Sequence, residues 1–164
     1  MKTVLKTQKP TWVFWIVFVS WLILDIATKY WAVKYLKGQL PIVVIPNFFR
    51  LIYHINFGVA FGWFNEKSKI FLIVMILALM LWMIWFARTL SWEKIGINFA
   101  AGWVAAGAVG NLMDRVKQGY VIDFLDFTFW GWSYPTFNVA DTGICVGLGL
   151  VLLLEWRKWW GKTT

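Results

Sequence analysis

The chain has 164 residues, 60% of them hydrophobic, with a mean hydropathy of +0.64 and fourteen Trp. A soluble domain is about 45–50% apolar, so one small core cannot hide this much apolar surface, and lipid is the simpler solvent; Trp also gathers at bilayer interfaces. The net charge of +8 lies at segment ends and tails, which is juxtamembrane placement and excludes a nucleic-acid partner.

The length is that of one membrane-embedded domain, 1–164. Lys2, Lys6 and Lys9 precede an apolar run, as in a signal peptide. The run is rich in bulky Trp and Phe and offers no clean small-x-small cleavage site, so 12–31 reads as a first span. Twenty residues at about 1.5 Å each give about 30 Å, a hydrocarbon thickness. Asp25 and Lys29 are four apart and share a helix face near the end of this span. They form either a structural ion pair, with Lys29 reaching for the interface, or part of a substrate site.

Pro41 and Pro46 bracket a short apolar run, and 50–56 then alternates, with Leu51, Tyr53 and Ile55 on one face. That is a half-buried strand pattern and predicts a small sheet on the membrane surface. His54, the only histidine, reads as a surface strand residue, since alone it makes a poor metal site. Asn56 opens a stretch with Gly58 and Gly62, which allow a tight turn and close approach of a ligand.

The uncharged run 70–87 is a second span and 95–113 a third. In the third, Gly102, Ala106 and Gly110 fall on a small-xxx-small register that lets helix backbones pack closely in lipid. It ends in a polar cluster of Asn111, Asp114 and Arg115. Residues 116–120 read as a turn, 121–124 as chain returning toward the membrane, and 127–132 as an aromatic interfacial segment. A fourth span covers about 137–156, with Asn138 and Asp141 near its start. Cys145 lies in that run and reads as a small buried hydrophobe.

Four spans put both termini on one side. The tails and the 88–94 connection carry eight Lys and Arg in short segments, against seven beyond Lys29 spread over longer ones on the other side. The positive-inside preference places both termini in the cytoplasm. Asp25, Asn56, Asp114, Asp123 and Asp141 then converge at the outer face, a coincidence not used in placing the spans.

A lone carboxylate in lipid costs about 2.5–3.5 kcal/mol even on the lenient insertion scale. Two of them, Asp123 and Asp141, near one membrane face suggest a site that uses carboxylates. Such a pair shares a proton. One member activates a water, and the other donates to a scissile carbonyl, with no metal, cofactor or covalent intermediate. No Ser/His/Asp constellation or phosphate-cradling glycine loop competes with this reading. A small ion- or proton-conducting protein built on intramembrane carboxylates is the alternative.

Five segments in chain order resemble the motifs of lipoprotein signal peptidase, the signal peptidase II family of bacterial inner-membrane aspartic peptidases. Asp25-Ile26-Ala27-Thr28-Lys29 is similar to its D-x-x-[ST]-K, and Asn56-Phe57-Gly58-Val59-Ala60-Phe61 to its N-x-G-x-A-F. Gly107 to Arg115 is similar to G-x-x-G-N-x-x-D-R, Val121 to Phe124 to V-x-D-F, and Phe137 to Asp141 to F-N-x-A-D. Thr142 stands where Ser is common, and Ile26 where Gln is frequent. The resemblance implies a membrane all-α fold: a four-transmembrane-helix bundle with a small extracytoplasmic β-cradle and a short surface helix. It implies a multi-pass protein of the bacterial cytoplasmic membrane, with its active site near the outer face. The implied activity is cleavage of the signal peptide from a prolipoprotein, before a cysteine carrying a diacylglyceryl group. It makes Asp123 and Asp141 the catalytic dyad. Asn56, Gly58, Asn111, Arg115 and Asn138 bind substrate or support the dyad, with Asp25, Lys29 and Asp114 behind them. Membrane lipid is the surrounding partner and the cyclic peptide globomycin the expected inhibitor.

Overall fold

The computed structural model describes residues 10–58, 81, 90–92 and 94–160. Three of its helices are long and apolar enough to cross a membrane: α1 (Trp12–Leu36), α2 (Ile95–Gln118) and α3 (Val139–Trp160). The span expected at 70–87 lies, apart from Leu81, outside the described residues, so these establish three apolar helices. No short surface helix occurs among the described residues.

α1 is apolar all round, yet it buries one stripe: Val17, Asp25, Lys29, Ala32 and Leu36, with Trp21 half-buried between the first two. Steps of three and four put these on one face. Trp12, Ile16, Val19 and Ile23 on the rest of the surface stay exposed, as lipid-facing side chains do. The helix runs five residues past its expected end at Trp31 because Ala32 and Leu36 pack on Ile122 and Phe124 of the sheet. α2 also outlasts its expected end and stops at Gly119, whose φ of +83° closes the helix with an N–H to the Arg115 carbonyl.

α2 packs against both other helices. Gly110 and Gly107 show why small residues stand there. A Cβ on Gly110 would run into the Asp25 carboxylate, and one on Gly107 into the Ala140 carbonyl. At one end of the bundle, Asn98 at the start of α2 accepts from the Thr11 N–H (2.7 Å), and Leu90, Trp92, Ile97 and Val151 form a cluster. At the other end sits the sheet. The described chain leaves the sheet end at Gly58 and re-enters at the opposite end at Leu90.

The sheet is antiparallel, in the order β1 (Ile42–Ile45), β2 (Phe49–Asn56), β3 (Val121–Phe129), β4 (Trp132–Ser133). Expectation and structure agree that 50–56 is a strand, but a bulge between Leu51 and His54 sets Leu51 and Ile55 on opposite faces where alternation puts them on one, and the two differ on β3. Residues 121–129 are one strand, where the sequence reading has a returning chain followed by an interfacial segment. β3 is central, and its first four residues are buried on both faces. An evenly buried strand shows no alternation to read. Trp130 and Gly131, both with positive φ, make the two-residue turn into β4.

An ion cluster joins α1 to α2. Lys29 Nζ lies 2.9 Å from Asp25, 3.0 Å from Asp114 and 3.0 Å from Asn111 Oδ1. Lys29 and Asp25 are buried, so each charge depends on its partner. Lys29→Met leaves two carboxylates without their cation. It is expected to destabilise the fold by about 3–5 kcal/mol, read as a lowered midpoint of thermal unfolding in detergent micelles.

Candidate active site

Asp123 enters the site from β3 and is fully buried. Its Oδ1 accepts from Asn138 Nδ2 (2.7 Å) and its Oδ2 from Asn56 Nδ2 (2.8 Å). Asn56 is the last residue of β2, and its own Oδ1 accepts from the Gly58 N–H (2.7 Å). That bond turns the amide so that its NH₂ faces Asp123. Gly58 adopts a φ of +80°, which glycine takes without penalty.

Asp141 enters from the first turn of α3. Asn138 precedes that helix and accepts from the Asp141 N–H through its Oδ1 (3.0 Å), while Asp141 Oδ2 accepts from the Asn138 N–H (3.2 Å). This is a reciprocal capping box, and it locks both side chains to one backbone turn. The other oxygen of Asp141 accepts from Asn111 Nδ2 (2.8 Å). Asn138 therefore binds both carboxylates, and its Nδ2 also lies 3.3 Å from Asn111 Oδ1. The Asn111 oxygen is oriented in turn by Lys29. Asp25 accepts from the Ala140 N–H (2.9 Å), placing a negative charge at the start of α3, where the helix dipole favours one.

Arg115, on the last turns of α2, donates through Nη1 to the Asn111 carbonyl (3.3 Å). It interacts electrostatically with Asp141, Asp123 and Asp114, and its Nε has no hydrogen-bond partner among the described residues. It is a cation beside the pair with a donor to spare. All ten residues expected at the site thus meet in one network. The Asp25–Lys29 pair is an ion pair within it.

Burial pushes the Asp123 carboxyl above its ordinary value. The hydrogen bond from Asn56 opposes this, the neighbouring charge of Asp141 adds to it, and the bond from Asn138 opposes it again. A carboxyl that holds its proton more tightly than usual beside a second carboxyl is the setting for shared-proton chemistry. Asp126, three residues on, takes no part. It faces the other side of β3 and pairs with Arg50 Nε at 2.7 Å.

A cavity of about 380 Å³ opens beside Asp141, lined by Phe127, Phe129, Tyr134, Phe137, Thr142, Cys145 and Val146. Cys145 is exposed, which corrects its reading as a buried hydrophobe. It lies one turn beyond Asp141 on the cavity side of α3, a side that sequence alone does not mark. Sequence reasoning also missed Trp21, whose Nε1 donates to the Val139 carbonyl (3.2 Å) and steadies the start of α3. Its position, four before Asp25 on the same stripe, is the signal that would find it.

The sequence profile of signal peptidase (SPase) II matches residues 17–157. A lipoprotein signal peptidase of Syntrophotalea carbinolica is 41% identical over 135 residues, covering 81% of this chain and 84% of that one. One from Clostridium tetani is 38% identical over 140 residues, covering 85% and 88%. A bacterial membrane enzyme solved by the in meso method at 1.9 Å superposes with a TM-score of 0.78 at 28% identity, covering 90% of this chain and 96% of that one. Two carboxylates tied to one asparagine, in a bundle whose sequence matches that profile almost end to end, place this chain in the signal peptidase II family.

Proposed function

We propose that Asp123 and Asp141 are the catalytic dyad of an aspartic endopeptidase, which cleaves the signal peptide from a prolipoprotein before its diacylglyceryl-modified cysteine. The observation that carries this is Asn138, which donates to both carboxylates and so holds them as one unit. The family relationship supports the substrate. The alternative, an ion-conducting protein, has no support in these relationships.

In this mechanism the ionised carboxylate takes a proton from a water lying between the pair. The water oxygen attacks the scissile carbonyl while the protonated carboxyl donates to the carbonyl oxygen. The resulting gem-diol collapses, breaking the C–N bond as a proton passes to the leaving amine. The dyad returns to one proton between two carboxyls. Asn56, Asn111 and Asn138 hold the acceptor oxygens in place, and Arg115 offers its spare donor to a substrate carbonyl.

The dyad lies at the sheet end of the bundle, opposite the end where Thr11 meets Asn98 and Glu155 meets Ser91. With both termini in the cytoplasm, the dyad is at the outer face. A diacylglyceryl anchor holds the cleaved bond at the same depth, since each buried CH₂ contributes about 0.8 kcal/mol. The aromatic cavity beside Asp141 takes an apolar part of the substrate. Globomycin blocks cleavage by occupying the same site.

Asp123→Asn and Asp141→Asn are each expected to lower cleavage of a diacylglyceryl-modified prolipoprotein by about a thousandfold or more, with a chelator present throughout. The fold survives Asp123→Asn at a cost of about 1–2 kcal/mol, because one acceptor becomes a donor facing another amide. A variant that keeps near-normal turnover removes that residue from the mechanism. The pH dependence follows from burial of Asp123. A carboxyl held above its ordinary value keeps its proton to higher pH, so kcat falls only as pH rises through that raised value. The upper limb of the profile therefore lies above the ordinary carboxylate range of about 4. By linkage this group's contribution to stability also declines as pH rises through the same interval.

A further inference from the structure

The register of β2 and β3 sets His54 directly opposite Asp123. Side chains at opposed positions of an antiparallel pair share a face, with Cβ atoms about 4.5–5.5 Å apart. Asn56, two residues along and on that same face, donates to Asp123, so this face is the side on which the dyad lies. A bulge between Leu51 and His54 decides the matter. From the pairing of Leu51 with Leu125, an unbulged strand would bring Tyr53 opposite Asp123 and turn His54 to the other face. His54 is also the one exposed position of an otherwise half-buried strand.

We propose that His54 is a positioning residue for the dyad: its imidazole, directly across the strand pair from Asp123, sets the electrostatic surroundings of that carboxyl and so the pH range over which the pair works. The inference rests on the reading of Asp123 as a member of the catalytic pair.

The other charges around Asp123 among the described residues are accounted for. Asp141 on α3 opposes its ionisation, and Arg115 on α2 lies close enough to act on both carboxylates. Lys29 on α1 is shared between Asp25 and Asp114. Arg50 and Asp126, farther along the same two strands, are bonded to each other. His54 is the only imidazole in the chain. A positive charge at His54 acts on Asp123 in the ionising direction.

The test compares kcat against pH for the full chain in micelles, as wild type, His54→Gln and His54→Lys, on a diacylglyceryl-modified prolipoprotein. His54→Gln is expected to move the upper limb to higher pH by about half a unit, the size of an ion pair in contact with water. His54→Lys keeps a charge throughout and leaves the limb at or below its wild-type position. An upward displacement in His54→Gln that His54→Lys does not show is not the signature of a strand residue with a merely structural role. Coincident limbs in all three proteins, or one common factor of loss at every pH, would overturn the proposal. Failure of the dyad reading has a separate signature, which is cleavage surviving in Asp123→Asn.

Discussion

The sheet end of the bundle depends on one side chain, Asn138. A buried amide has one acceptor and two donors to satisfy, and each of these is used on something that matters. The oxygen caps α3 at Asp141, and the NH₂ group reaches Asp123 and also lies 3.3 Å from the Ile122 carbonyl and from Asn111. A strand and a helix far apart in sequence are thereby held to one geometry. Asn138 and Asp123 are fully buried, so the network must be satisfied from within.

That requirement explains the layers behind the dyad. Asn138 touches Asn111, Asn111 touches Lys29, and Lys29 is neutralised by Asp25 and Asp114. Asp25 returns to the start, accepting from the Ala140 N–H two residues after Asn138. The loop of contacts passes through all three described helices and ends on the sheet. Closed polar networks of this kind are rigid because removing any member strands another in low dielectric. Gly110 belongs to the same design: its missing Cβ is the space the Asp25 carboxylate occupies.

The sheet contributes a second kind of control. β3 is buried on both faces near Asp123 and cannot slip, and the bulge in β2 chooses which of its residues faces the carboxylate. Farther along, stacked aromatic rings (Phe49 on Phe127, and Phe127 on Phe137) give the cavity beside Asp141 a flat apolar wall. Polar restraint lies on one side of Asp141 and apolar surface on the other. That arrangement suits a bond held at the boundary between bilayer and water.

Much of this was legible in the sequence. Lipid as solvent followed from composition, and α1, α2 and α3 followed from apolar runs of the right length. The strand at 50–56 followed from alternation, Asp123 and Asp141 stood out as carboxylates placed where lipid makes them costly, and the motif resemblance pointed to the eight residues around them. These are local signals, carried by residue type and spacing. Tertiary structure alone decided the rest. β3 could not be read as a strand, because burial on both faces erases the alternation that marks one. The cavity-facing Cys145 depends on which side of a mostly apolar stretch of helix meets its neighbour, and even hydropathy carries no such direction. The pairing of His54 with Asp123 depends on one extra residue in a bulge, and a strand's own sequence does not say where its partner will skip.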